Sequence, residues 1–163
     1  LSTRIYDPPL SEARERILAV PSALRVVLLV LDFDTEVNMQ GMLGFLENST
    51  GLSLAETIDA FHRIGALATT DTLRNIHRIL ETHGVSKSQF RSDFDGTTLY
   101  KITNFNDLHG DLGSLLEEVE REAERLYVYS EPGCGEDVWA LLDTFVDANR
   151  LGVLAEVARV GNA

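Results

Sequence analysis

The sequence predicts an all-α fold, a single compact domain of about seven helices over residues 1–163. Apolar residues recur at helical spacing in several segments, and Ser, Pro and Gly stand where those segments begin or end. The length of 163 residues and the apolar content of 44% suffice for one hydrophobic core. The chain shows no internal repeat, so each helix is justified separately.

The first helices are predicted from composition. Residues 11–20 favour helix after the Pro8-Pro9 breaker. Residues 22–33 are almost wholly apolar, and periodicity alone cannot separate a buried helix from a buried strand there. Their Leu and Ala content favours a helix.

The next two helices are predicted from start and stop signals. Ser53-Leu54-Ala55-Glu56 has the pattern of a capping box, and the helix that it opens ends at Ile64-Gly65. Thr70 or Asp71 is expected to cap the following helix, which ends near Gly84.

The C-terminal part begins with residues 85–110, whose many Ser, Asp, Asn and Gly residues indicate loops and short elements. Ser114-Leu115-Leu116-Glu117 is a second capping-box pattern and opens a helix with an apolar stripe. After Pro132-Gly133, further helices are expected over residues 136–149 and 151–160.

The net charge is −12, from 26 acidic and 14 basic residues. Residues 1–92 hold 11 acids and 9 bases, whereas residues 93–163 hold 15 acids and 5 bases. This field repels nucleic acid and anionic membranes, so we expect neither as a direct partner. It attracts basic surfaces, although a merely solvated acidic surface explains the same composition.

A single cysteine, Cys134, excludes an intramolecular disulfide, and we expect a cytoplasmic protein, because a reducing cytoplasm is the simplest location for such a chain. His62, His77, His83 and His109 lack metal-ligand spacing, and nothing in the sequence supplies a base for Cys134. We therefore expect no metal, no cofactor and no enzymatic activity.

One enzymatic alternative stays open. Asp32-Phe33-Asp34-Thr35 follows the apolar run and resembles the first motif of haloacid-dehalogenase-like phosphatases, with Asp32 as nucleophile and Asp34 as general acid. This interpretation needs a buried strand before Asp32 and a lysine, for which only Lys87 and Lys101 are candidates. The second copy, Asp93-Phe94-Asp95, follows polar residues, so magnesium-dependent phosphatase activity is a remote alternative.

A row of glutamates lies opposite the apolar stripe of the helix after Ser114: Glu117, Glu118, Glu120, Glu122 and Glu124. Successive helical turns place carboxylates about 5–6 Å apart, comparable to the phosphate spacing along one DNA strand. The alternative is an exposed helix stabilised by Glu–Arg pairs with Arg121 and Arg125.

The stretch from residue 36 to residue 51 mixes amides, hydroxyls and three glycines with apolar residues. Such a mixture is typical of a buried hydrogen-bonded turn or of a binding site. We interpret its polar residues as ties between helix ends, and its glycines as sites of close packing. The motif residues are Glu36, Asn38, Gln40, Gly41, Phe45, Asn48, Ser49 and Gly51.

The same stretch resembles the bacterial DNA-mimic protein family, long catalogued as a domain of unknown function. The resemblance lies in Glu36-Val37-Asn38, Gly41, Phe45-Leu46, Asn48-Ser49-Thr50-Gly51 and Ile64-Gly65-Ala66. It covers about residues 10–83 well and the acidic helical part over residues 93–163 loosely. Met39-Gln40, Met42 and Leu46 depart from the family pattern.

The resemblance implies an all-helical fold with an acidic surface that occupies the DNA-binding face of a basic partner, such as a transcription factor. The expected partner-binding acids are Asp32, Asp34, Glu36, Glu117, Glu118, Glu120, Glu122, Glu124, Glu131, Glu136 and Asp137. The alternative is an immunity-type or structural interaction protein unrelated to DNA. A homodimer is compatible with either function.

Overall fold

Helices make up the regular structure of the computed structural model, which describes residues 14–85, 110–130 and 135–161. Residues 14–18 are helical, and six longer helices follow: α1 Ala23–Glu47, α2 Leu54–Ile64, α3 Leu67–Thr82, α4 Leu115–Ala123, α5 Val138–Ala148 and α6 Arg150–Gly161. Two short 3-10 helices cover Ser49–Ser53 and Tyr127–Tyr129. Within these ranges there is no strand, and the predicted all-α fold is confirmed. None of the helices in these ranges is both long and apolar enough to cross a bilayer.

The apolar run of residues 22–33 forms the first half of α1. Ser22 caps this helix, because its Oγ accepts a hydrogen bond from the backbone N–H of Arg25 at 3.0 Å. The buried residues recur at helical spacing: Val26, Leu29, Val30, Phe33 and Val37. A phosphatase motif requires a strand before Asp32, but Asp32 and Asp34 lie within a helix. The phosphatase alternative is therefore wrong.

A glycine kink divides α1. Gly41 has φ 73° and ψ −179°, which breaks the helical path between residue 40 and the last turn of the helix. Positive φ values are open to glycine at little cost and are strained for other residues. Gly51 is needed for a different reason, because a Cβ there would lie 2.5 Å from the carbonyl oxygen of Phe45.

Aromatic rings hold the centre of the core. The ring of Phe33 meets the rings of Phe45 and Phe61 edge to face, at centroid distances of 5.0 and 5.1 Å. All three side chains are fully buried. Helix α1 packs against α2 and α4, and α3 packs against the same two helices, so the kinked helix organises the core.

The predicted capping boxes do not form. Ser53 and Ser114 occupy the N-cap positions of α2 and α4, but neither side chain bonds the helix backbone. The Oγ of Ser114 instead donates to Glu118 Oε1 at 2.5 Å. Helix α3 begins at Leu67, before the predicted cap at Thr70 or Asp71, whereas Gly65 ends α2 as predicted, with φ 87°.

Candidate functional site

The acids of α1 make contacts inside the protein. Arg14 Nη2 donates to Asp32 Oδ2 at 2.5 Å, and the Tyr127 hydroxyl donates to Asp34 Oδ1 at 2.8 Å. The two positions are two residues apart, so their side chains leave the helix in nearly opposite directions. They do not form the paired carboxylate site of a phosphatase.

Burial and these contacts change proton affinities. Burial raises the pKa of the Asp32 carboxyl above its usual value, and the hydrogen bond and charge of Arg14 lower it by less. Burial also raises the pKa of the Tyr127 hydroxyl, with a further increase from the hydrogen bond and charge of Asp34. The phenol therefore stays a hydrogen-bond donor at neutral pH.

The polar residues of the stretch 36–51 also make internal contacts. Asn48 Nδ2 donates to Glu36 Oε2 at 2.6 Å, which joins the end of α1 to its middle across the kink. Asn38 Nδ2 donates to the backbone oxygen of Asp34 at 2.8 Å. Gln40 and Ser49 are exposed, and the described part of the chain offers neither side chain a hydrogen bond.

Two acids near residue 136 cap helices. Glu136 Oε1 accepts from the N–H of Ala68 at 3.0 Å, and Oε2 accepts from the N–H and hydroxyl of Thr69 at 3.0 and 2.7 Å. Asp137 Oδ1 accepts from the N–H of Ala140 at 3.0 Å and caps α5. Both carboxylates accept hydrogen bonds from N–H groups that have no partner within their helix, and both face the positive end of a helix dipole.

Two glutamates of α4 bind neighbouring side chains. Glu118 accepts from Ser114 and lies 3.4 Å from His83 Nε2. The hydrogen bond from Ser114, followed by the contacts of His83, lowers the pKa of the Glu118 carboxyl. Glu122 accepts from Asn75 Nδ2 at 2.9 Å and from Arg125 Nη1 at 2.8 Å.

Three glutamates remain on the outer side of α4. Glu117, Glu120 and Glu124 are exposed, and within residues 14–85, 110–130 and 135–161 none of them forms an ion pair or side-chain hydrogen bond. Their spacing of three and four residues places them on one side of the helix, about 4.5 and 6 Å apart along its axis. They form a short row of free negative charge.

A groove of about 300 Å³ adjoins this row at the kink of α1. Its lining residues include Gly41 and Tyr129 together with two members of the row, Glu120 and Glu124. Tyr129 is half exposed, and its hydroxyl would lie 3.7 Å from a Cβ at position 41. Sequence reasoning missed Tyr129, since no motif links it to the kink 88 residues earlier in the chain.

Some predicted residues lie outside the described ranges. They are Glu131, Asp93, Asp95, Lys87, Lys101, His109 and Cys134. Within those ranges, no three His, Cys, Asp or Glu side chains are grouped closely enough to hold a metal ion.

Fold and surface together define a small, acidic, all-helical protein with a row of free carboxylates on one helix. A family profile described as DMP19-like protein matches residues 19–149. The chain belongs to this family of DNA-mimic proteins, as the resemblance in residues 36–66 predicts. Comparison with curated proteins and comparison with solved structures each give no significant match.

Proposed function

We propose that this protein binds the DNA-binding surface of a basic partner, such as a transcription factor, and thereby competes with DNA. The observation that carries the proposal is the row of Glu117, Glu120 and Glu124, which have no internal ion pair or side-chain hydrogen bond among the described residues. A carboxylate without internal contacts can bond directly to a cation of the partner, whereas a capped or paired carboxylate already has its bonding partners inside the protein. Family membership supports the same function.

The groove beside the row accepts a basic side chain of the partner. Glu120 and Glu124 can approach a guanidinium from one side, and the ring of Tyr129 supplies an aromatic face. Arginine suits this place better than lysine, because its planar donors match carboxylates and its surface stacks on rings. This contact would fix the orientation of the partner, which a general attraction between opposite charges does not do.

The mechanism is charge complementarity. A negative surface raises the association rate with a basic partner, and added salt screens this attraction beyond about 8–10 Å. When this protein occupies the DNA-binding face of the partner, the partner cannot bind DNA at the same time. Affinity for the partner is expected to fall steeply as the salt concentration rises.

The test uses a partner captured from host extract and then purified. Displacement of fluorescent duplex DNA from this partner is measured with wild-type protein and with the double variant Glu120→Gln/Glu124→Gln. Each charge-assisted contact contributes about 1.5–3 kcal/mol, so we expect at least a tenfold loss of competition. The matched control is Asp143→Asn/Asp147→Asn, which removes the same charge from two exposed positions of α5 and leaves competition nearly unchanged.

A partner that binds protein and DNA at the same time would overturn the proposal, as would binding that is equal at low and high salt. The latter result would favour the alternative of an interaction protein unrelated to DNA. Exposed apolar residues on α6 support that alternative: Leu151 is 84% exposed, Leu154 56% and Val157 50%. The homodimer stays a prediction, which sedimentation of wild type and of Leu151→Ser/Leu154→Ser would test.

A further inference from the structure

A second groove lies between α1 and α2, and α4 contributes none of its lining residues. Its volume is about 320 Å³, at the lower end of the range of small-molecule sites. Two arginines and two acids line it: Arg25, Arg63, Glu56 and Asp59. A chain with a net charge of −12 therefore has a locally balanced site here.

The guanidinium of Arg25 has unused donors. Its side chain is only 22% exposed, and its Nε–H is buried without a hydrogen-bond partner. The shortest ion pair of Arg25 in the described chain joins Nη2 to Glu56 Oε1 at 3.8 Å, which is too long for a hydrogen bond. The enclosed Nε–H is out of reach of a ligand, whereas the two Nη groups are not enclosed and form no hydrogen bond within the described residues, so they can donate to an acceptor in the groove.

The other charged residues of the groove are also available. Arg63 lies 5.9 Å over the ring of Phe145, and in the described ranges it forms no ion pair. Asp59 is exposed and has no ion pair in these ranges either. The groove thus offers two cations for a carboxylate and two anions for an ammonium group.

We propose that this groove is a binding site for a small zwitterion of the amino-acid class. The ligand carboxylate accepts from Arg25 and Arg63, and its ammonium group donates to Glu56 and Asp59. Planar guanidinium donors suit a carboxylate, and a ligand with both charges matches the two cations and two anions that line the groove. This function is independent of the carboxylate row on α4.

The test is an NMR titration of the full chain with three probes at constant ionic strength: glycine, acetate and methylammonium. Glycine is expected to shift the backbone amide signals around Arg25 and Asp59 in a saturable way, at concentrations on the order of 1–10 mM. Acetate is expected to shift the signals around Arg25 with weaker affinity, and methylammonium to bind more weakly still. Equal affinity for glycine and acetate would overturn the recognition of both charges.

Two variants make the test specific. Arg25→Gln and Arg63→Gln are each expected to weaken glycine binding by about tenfold or more, since each removes charge-assisted donors. The exposed Arg63 keeps the test decisive if Arg25→Gln unfolds the protein. Arg159→Gln on α6 is the matched control and should bind as wild type does. Absence of saturable shifts in folded wild-type protein, or unchanged binding by folded Arg63→Gln, overturns the proposal.

Discussion

The acids of α1 and the acids on the outer side of α4 have the same chemistry but opposite surroundings. Asp32 and Asp34 accept hydrogen bonds from Arg14 and Tyr127, and both are partly buried. Glu117 and Glu120 face solvent and have no such contact within the described chain. The first pair is engaged in contacts within the protein, whereas the second pair is available to another molecule.

This difference teaches that the number of acidic residues overstates the charge that a partner meets. Glu136 and Asp137 also belong to the internal group, because their carboxylates cap helices. In the described chain, the carboxylates that a basic partner could contact directly are therefore concentrated in a short row on one helix, and they are fewer than the net charge suggests. Four predictions test the contrast between internally bonded residues and freely exposed ones.

The largest effect is expected from Gly51→Ala in the internally packed segment. A Cβ at this position would lie 2.5 Å from Phe45 O and 2.8 Å from Leu46 Cα, and backbone atoms yield little. The free energy of unfolding, measured in urea, should fall by about 3 kcal/mol. The control is Gly152→Ala in α6, where an added Cβ would meet no atom within 4 Å other than its chain neighbours and the backbone of its own helix, and stability should rise by about 0.5–1 kcal/mol. Equal stability of the two variants would contradict the packing argument.

The second effect concerns Glu136. Replacement by alanine leaves the N–H groups of Ala68 and Thr69 without their acceptor, so the free energy of unfolding should fall by about 2 kcal/mol. Glu120→Ala on the exposed row removes the same charge and should change stability by less than about 0.5 kcal/mol. If Glu120→Ala destabilises the protein as much as Glu136→Ala does, the division of the acids into two groups is wrong.

The third effect is smaller and depends on pH. Tyr127→Phe removes the donor to Asp34 and should cost about 1 kcal/mol near pH 7. Because the pKa of Tyr127 is raised in the folded protein, its contribution is full below the ordinary value of 10.0 and declines as pH rises above it. Urea unfolding of both proteins at pH 8 and pH 11 should therefore show the difference shrinking. A difference that grows with pH would have the wrong sign.

The smallest effect on stability is expected from Glu117→Gln/Glu120→Gln/Glu124→Gln. Glu120 and Glu124 are like charges four residues apart, so their neutralisation should leave stability within about 0.5 kcal/mol of wild type or raise it slightly. Thermal unfolding measures this change, and the DNA-displacement assay measures the accompanying loss of competition. A large loss of stability would mean that the row has a structural function.

Local signals predicted the fold well where the physical cause is local. The helix stop at Gly65 was predicted because a left-handed C-cap favours glycine, and the helical form of residues 22–33 followed from Leu and Ala content. The start of α3 was missed because Ala66 at its N-cap has no capping side chain. The acceptor comes from Glu136, and no nearby residue signals this contact.

The sequence predicted which acids form the candidate site on α4, but it did not predict which acids make contacts within the protein. The row on α4 follows from helical spacing, and the pair of Glu122 with Arg125 was among the expected ones. The contacts of Asp32 with Arg14 and of Asp34 with Tyr127 depend on tertiary packing, so the sequence alone predicted those acids as partner-binding. Whether any acid binds a partner stays a prediction.

The cap of α3 has a consequence for the order in which the protein can fold during its synthesis. Ala68 leaves the ribosome 68 residues before Glu136, which completes the end of its helix. At the usual 5–20 residues per second, this interval lasts roughly 3–14 seconds. We expect the nascent chain to keep the first turn of α3 frayed throughout that time, and the end of the helix to become fixed only after Glu136 has been synthesised.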